Sequence, residues 1–141
     1  MTWAPTETQK TIYGILSADS ALQTLLGGSV SDKKIYDSVP DKKAFPYLTM
    51  WIKPLSNRDN EDWDGVEIDY QISTWYQGPG QGDLKVQQIQ SRVDELLNKQ
   101  DICIDGWNVI SHRRVTVDIM DDPDGRTRHG VQIFKIRLGL A

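Results

Sequence analysis

Residues 66–73, VEIDYQIS, alternate apolar and polar side chains without a break, which is the pattern of a β-strand with one buried face. Residues 47–53, YLTMWIK, alternate in the same way, with Leu48, Met50 and Ile52 as the apolar set. Because the segment between them is polar and has no periodicity, the two strands are predicted to form an antiparallel hairpin with a long loop. This pair is the centre from which the rest of the fold is predicted.

Helical periodicity flanks the hairpin on both sides. Before it, Pro5 and a capping box formed by Thr6 and Gln9 predict a helix start, and Asp19 or Ser20 can cap a second short turn that Gly27-Gly28 ends. This segment is predicted to be a helix pair with a kink. After the hairpin, Asp83 is a candidate cap for a second principal helix, whose apolar stripe consists of Val86, Ile89, Val93, Leu96 and Leu97.

The C-terminal part of the chain predicts more strands. Asp105-Gly106 suits a two-residue turn between strand segments 101–104 and 107–110, and apolar alternation continues to Ile119. Residues 121–125, DDPDG, are predicted to turn, and residues 127–140 form a final strand. The element order α-β-β-α-β-β predicts an α+β fold, a small antiparallel-rich sheet with two main helices on one face, in a single domain over residues 1–141.

Composition limits the function classes. With 141 residues, 38% apolar and 26% charged, the chain is typical of one globular domain. Its net charge of -4 has the wrong sign for tight binding to nucleic acid. No apolar stretch is long enough for a membrane helix and the start lacks a secretory signal, so we expect a chain made in the cytoplasm without a membrane partner. Cys103, the single cysteine, is predicted to be an inert thiol in a short strand.

Two loops invite a ligand interpretation. Residues 78–82, GPGQG, lie between a strand and a helix and could present backbone N–H groups to a phosphate, but Asp83 stands where a dinucleotide motif has its third glycine. A flexible loop is the favoured interpretation, and a phosphate-ligand-binding protein is the alternative from a different class. The turn at residues 121–125 resembles the start of a calcium loop but has no glutamate at the twelfth position.

No catalytic, cofactor or metal residue is predicted. His112 and His129 are the only histidines, and neighbouring arginines disfavour a metal ion at both of them. There is no G-x-S-x-G motif, and no carboxylate cluster lies beside either histidine. The acidic segment 59–64 is interpreted as a solvated loop.

The tryptophans carry the one positive signal. Alternation places Trp51 and Trp75 on the polar faces of their strands, where each either covers the end of a core or meets a partner. The last strand is apolar on its second face at Val131 and Ile133, so it is either central or covered by a neighbouring subunit. With Arg126 and Arg128 at the start of that strand, the candidate interface residues are Trp51, Trp75, Val131, Ile133, Arg126 and Arg128.

Several segments in order resemble the bacteriophage tail completion (tail terminator) proteins, which are head-tail joining proteins of siphophages and gene-transfer particles. They are residues 12–28, residues 35–48, the strand ending in Trp75, the helix ending in Leu96-Leu97, and residues 122–130, DPDGRTRHG, followed by an alternating strand. The resemblance spans residues 12–138. Each piece alone is a cap, a turn or a strand start, and their order and spacing carry the resemblance.

The resemblance implies a structural virion protein at the head-tail junction, without catalytic residues or cofactors. It implies six copies in a ring that caps the tail tube, ends its polymerisation and joins it to the head connector. The implied partners are other copies of the chain, the major tail tube protein and a connector or stopper protein, with DNA passing through the ring without specific binding. A head-side stopper or adaptor is the alternative within the same class.

Overall fold

The computed structural model describes residues 3–53, 56–57, 65–78 and 82–140. Within these residues, three helices and six strands follow one another. In order they are α1 (Ala4–Ala18), α2 (Ser20–Leu26), β1 (Ile35–Tyr36), β2 (Tyr47–Ile52), β3 (Ser56–Asn57), β4 (Gly65–Gln77), α3 (Gly82–Leu97), β5 (Trp107–Asp121) and β6 (Thr127–Leu140).

The strands form one sheet in the order β1-β2-β4-β6-β5, with β3 also paired to β4. Every pair is antiparallel except β1 with β2, so the predicted antiparallel-rich α+β fold is confirmed. The predicted antiparallel pairing of the first two long strands is also confirmed, since Met50 pairs with Ile72, but Ser56 and Asn57 of the predicted loop form β3. β6 lies between β4 and β5, so it is hydrogen-bonded to a strand on each side.

The core lies between one face of the sheet and the three helices. Alternate residues of β4 and β6 point into it, and the Tyr70 ring stacks on that of Phe134 with centroids 5.1 Å apart. α3 covers this face with a fully buried stripe, as the helical spacing predicts. Its members are Val86, Ile89, Val93 and Leu97.

The first helix begins earlier than predicted. α1 starts at Ala4 with Trp3 as its N-cap, and the N-cap side chain makes no capping hydrogen bond. The capping box of Thr6 and Gln9 is therefore wrong, because Pro5 already occupies the first turn, where its missing N–H costs nothing. At the predicted kink, Asp19 is in an extended conformation and caps α2 through Leu22 N at 2.8 Å, and Gly27 ends α2 with φ of 71°.

The strand predicted over residues 101–104 does not form. Only an isolated bridge joins Ile104 to Trp107 across the turn, and β5 is one continuous strand from Trp107. Ile104 is instead buried in an apolar cluster with Ile68 and Ile136, so the segment packs under the sheet and does not extend it. Cys103 is exposed and lies outside any strand, which corrects the prediction for its surroundings.

None of the helices in the described part of the chain has the length and apolar character required to cross a bilayer.

Candidate interaction surface

The sheet has a second face that none of the described helices covers. All three helices pack on the face of Leu48, Tyr70 and Phe134, as their shared core cluster shows. Residues paired across antiparallel strands point to the same side, so the register defines the opposite face, here named the open face. Its members are Tyr47, Thr49 and Trp51 with Lys53 on and after β2; Glu67, Asp69, Gln71, Ser73 and Trp75 on β4; His129, Val131, Ile133, Lys135 and Arg137 on β6; and Ser111, Arg113, Thr116, Asp118 and Met120 on β5.

One end of the open face is aromatic and partly closed. Trp75 pairs with His129 and stacks on its ring, with centroids 3.7 Å apart and planes 10° from parallel. The Trp75 indole N–H donates to Thr49 Oγ1 at 3.0 Å. Burial lowers the pKa of His129, so the ring tends to stay neutral beside the indole. Trp75 is therefore fixed by contacts within its own chain.

Trp51 stands in the middle of the open face and is 56% exposed. A shallow cavity of about 230 Å³ lies beside it, and its lining includes Lys53, Gln71 and Ile133. A tryptophan exposed next to an apolar side chain and a cavity is a typical anchor for a protein partner. Of the two candidate tryptophans, Trp51 is the one that is free to make such a contact.

The other end of the open face carries charges in alternation. Lys135 Nζ lies 3.2 Å from Glu67 Oε1, and Lys53 Nζ lies 3.9 Å from Asp69 Oδ2. Among the residues that the structure describes, this end carries four cations and two carboxylates, and three of the cations are paired with those carboxylates. It is named the basic end, and its cations are Lys53, Arg113, Lys135 and Arg137.

The structure brings four of the six candidate interface residues together. Trp51, Trp75, Val131 and Ile133 all lie on the open face. Arg128 lies on the helix side, where its guanidinium contacts Asp83 at 3.0 Å and Asp121 at 3.2 Å. Arg126 is exposed in the turn before β6.

Sequence reasoning missed the basic end. Its signal was present in the alternation of Lys135 with Arg137 and of Glu67 with Asp69. Only the pairing of β4 with β6 shows that these residues meet on one face, because 68 positions separate Glu67 from Lys135.

The loops singled out for ligand chemistry have other roles where they are described. Asp124 organises its turn by accepting the Arg126 and Thr127 backbone N–H groups at 2.8 Å each and the Thr127 hydroxyl at 2.6 Å. The Thr127 hydroxyl contributes most to lowering the Asp124 pKa to about 2. The predicted turn is confirmed, and its central carboxylate is occupied by these bonds. Residues 79–81 of the glycine-rich loop and the acidic segment 59–64 lie outside the described residues.

The two histidines lie on opposite faces of the sheet. His112 is buried on the helix side of β5 and hydrogen-bonds Tyr70, and burial lowers its pKa. His129 lies on the open face under Trp75. Within residues 3–53, 56–57, 65–78 and 82–140, no group of three His, Cys, Asp or Glu side chains could hold a metal ion.

In the described residues, a core covered by helices and a second sheet face without a helix define a small α+β protein. Residues 10–139 match the sequence profile of the tail completion protein gp17 family, and the chain belongs to that family. It is thus a structural tail completion protein of phage-type virions, located in the tail, and the resemblance found in the sequence is confirmed.

Two solved structures share the fold. A chain from the virion of a native gene transfer agent particle superposes with a TM-score of 0.81 at 18% identity, covering 98% of this chain and 99% of its own length. The gp17 protein of bacteriophage SPP1 superposes with a TM-score of 0.58 at 23% identity, covering 98% of this chain and 91% of its own. A search of curated proteins finds no match.

Proposed function

We propose that this chain is a tail terminator that assembles as a ring of six, caps the completed tail tube, ends its polymerisation and joins the tube to the head connector. Its membership of the tail completion family over residues 10–139 is the observation that carries this proposal. The partners proposed with it are further copies of the chain, the major tail tube protein and a connector or stopper protein.

The open face supports an assembly role. Exposed Trp51 beside Ile133 provides an apolar anchor, and the flanking charges provide the polar rim that protein interfaces carry. Trp51, Trp75, Val131 and Ile133 are therefore proposed as subunit or partner contacts, with Arg126 at the hairpin end. Arg128 is proposed to act through the position of that hairpin, since it ties the hairpin to α3.

The edge of the sheet that β5 forms is poorly suited to strand addition as the ring contact. β5 is fifteen residues long and its register shifts twice, between Val109 and Ser111 and between Arg114 and Thr116. Such irregularities, together with charged residues such as Arg113, are the devices that keep an edge strand from pairing with another chain. A contact through the open face avoids this obstacle.

We also propose that the chain has no enzymatic role. The family is structural, and the chemistry of the open face consists of aromatic stacking and ion pairs between its own residues. The net charge of -4 agrees with a ring through which DNA passes without specific binding.

Deletion of the gene from its virus or prophage tests the proposal. After induction, negative-stain electron microscopy of the lysate is expected to show full heads beside unattached tails of abnormal, excessive length. Unattached tails of normal length would assign a joining role on the head side, as for a stopper or adaptor. Normal joined particles would overturn the proposal, and complementation with the wild-type gene controls for effects on neighbouring genes.

A further inference from the structure

His129 is held between two neighbouring side chains of the open face. In the strand register, Trp75 of β4 lies on one side of it and Met120 of β5 on the other. The His129 and Trp75 rings stack with centroids 3.7 Å apart, and the Trp75 indole N–H donates to Thr49 Oγ1 at 3.0 Å. The stack therefore covers one face of the imidazole, and the hydrogen bond fixes the indole that covers it.

The Nε2 atom of His129 lacks an acceptor for a second ring proton. This atom is buried, and among the residues that the structure describes it has no hydrogen-bond partner. A neutral imidazole can carry its single proton on Nδ1 and leave Nε2 bare, whereas an imidazolium has an N–H at both nitrogens. A buried N–H without an acceptor costs free energy that contact with water would recover. The stacked position is therefore suited to the neutral ring and unfavourable for the charged one.

The charged groups near His129 do not remove this cost. Asp122, in the turn before β6, attracts a proton to the ring, but burial has the larger and opposite effect on the His129 pKa. The side chains directly beside the ring, Trp75 and Met120, carry no charge. Asp118, two positions before Met120 on β5, is the next carboxylate on this face. No described carboxylate bonds Nε2, so protonation is not rewarded within the stack.

From this geometry we infer that the stacked pair of Trp75 and His129 is a pH-sensitive contact, in which protonation turns the imidazole out of the stack and uncovers the Trp75 ring. Near neutral pH the indole is fixed and covered on one face. In mild acid that face becomes accessible on the open face of the sheet. The inference concerns a single folded subunit and goes beyond the proposed function, so it does not depend on the role that deletion of the gene assigns.

A charged ring that stayed in the stack would be the alternative. An imidazolium over the face of a tryptophan is a cation–π pair, which stabilises the charged form and raises the pKa of the histidine. Burial instead lowers the pKa of His129 in this structure. The two arrangements thus predict opposite directions for the pKa and opposite fates for the stack.

An NMR titration of the wild-type protein from about pH 8 to about pH 5 tests the inference. The imidazole Hε1 resonance reports the His129 pKa, which is expected to lie below 6.5. The Trp75 indole N–H resonance is expected to shift with the same midpoint, and the cross-relaxation between the two rings is expected to disappear below it. Trp75→Phe assigns the indole resonance, and circular dichroism at each pH shows that the chain is still folded.

Two histidine variants are the matched controls. His129→Gln removes the titrating ring and leaves the bond between Trp75 and Thr49 in place, so its indole resonance is expected to be constant over the same pH range. His112→Gln removes the histidine on the opposite face of the sheet and is expected to keep the wild-type response. An indole response that persists in His129→Gln overturns the inference. So does a His129 pKa above 6.5 with ring contacts kept in acid, or the absence of any change in both resonances.

Discussion

Arg92 on α3 donates two hydrogen bonds to Asp19, from Nε to Oδ2 at 2.8 Å and from Nη2 to Oδ1 at 2.6 Å. The same carboxylate caps α2 by accepting the Leu22 backbone N–H. One side chain thus ends the connection from α1, starts α2 and fixes α2 to the principal helix. The hydrogen bond from Arg92 is the main cause of the lowered Asp19 pKa.

Asp19→Ala is expected to destabilise the fold by at least about 1 kcal/mol, the usual cost of losing an N-cap side chain. Asp19→Asn retains a capping oxygen and loses the ion pair, so its loss should be smaller. Urea denaturation of both variants measures the difference. Equal losses of unfolding free energy in the two variants would show that the capping hydrogen bond adds no stability beyond that of the ion pair.

Gly130 allows α3 to approach β6 closely. A Cβ atom at this position would lie 2.7 Å from Val86 Cγ1 and 2.6 Å from Gln90 Nε2, which donates to the Asp118 carbonyl at 3.0 Å. Gly130→Ala is expected to cost about 1–3 kcal/mol of unfolding free energy through overpacking. Gly14→Ala is the matched control, since its Cβ would meet nothing within 4 Å and should gain up to about 1 kcal/mol in α1. A wild-type urea midpoint for Gly130→Ala would contradict the close approach.

The elements with one unbroken period could be predicted from the sequence. β4 from Val66 to Ile72 and the apolar stripe of α3 are such cases, because each period repeats long enough to exclude the alternative. Residues 101–104 failed because a four-residue apolar alternation does not show whether a segment pairs with a strand or packs beneath a sheet. Ile104 packs beneath the sheet against Ile68 and Ile136, which are far away in sequence, so the local pattern could not predict this packing.

The open face was predictable only in part. Alternation placed Trp51 and Trp75 on the polar sides of their strands, and both positions are confirmed. The stacking of Trp75 on His129 depends on pairing between residues 54 positions apart, so local sequence could not distinguish the fixed tryptophan from the exposed one. The basic end was missed for the same reason.

Asp32 should contribute to stability only above acid pH. The hydrogen bond from Lys43 is the first cause of its low pKa, followed by those from Tyr36 and the Lys34 N–H, and the folded pKa is about 2. Because the folded pKa is below the ordinary value of 3.8, the contribution is complete above that value and is lost as pH falls towards 2. Asp32→Asn is therefore expected to lose less stability than wild type between pH values of about 5 and 2 in urea titrations. Asp19 and Asp124 also have lowered pKa values, so the stability of Asp32→Asn should still fall with pH, but less steeply than that of wild type.

His112 should make the fold sensitive to mild acid. Burial lowers its pKa below 6.5, so the folded state favours the neutral ring that bonds Tyr70. Stability is complete above the unfolded pKa and falls as pH drops through 6.5 towards the folded value. His112→Gln is expected to be less stable than wild type at neutral pH and to lose less on acidification to about pH 5. His129→Gln is the control for the second histidine with a lowered pKa. An unchanged pH dependence in His112→Gln would show that protonation of His112 is not involved.

Truncation of Trp51 and truncation of Trp75 are expected to have different effects on folding and assembly. Trp51 is 56% exposed, so Trp51→Ala is expected to change the unfolding free energy by no more than about 0.5 kcal/mol. Its assembly into a ring or onto tail tubes should weaken by about 2 kcal/mol or more, as for an interface anchor. Trp75→Ala loses the stack on His129 and the bond to Thr49, so it should destabilise the monomer as well. Urea midpoints with sedimentation velocity, and tail joining in the complemented deletion strain, measure both effects. Wild-type assembly by a folded Trp51→Ala protein would show that the Trp51 side chain does not contribute to the interface.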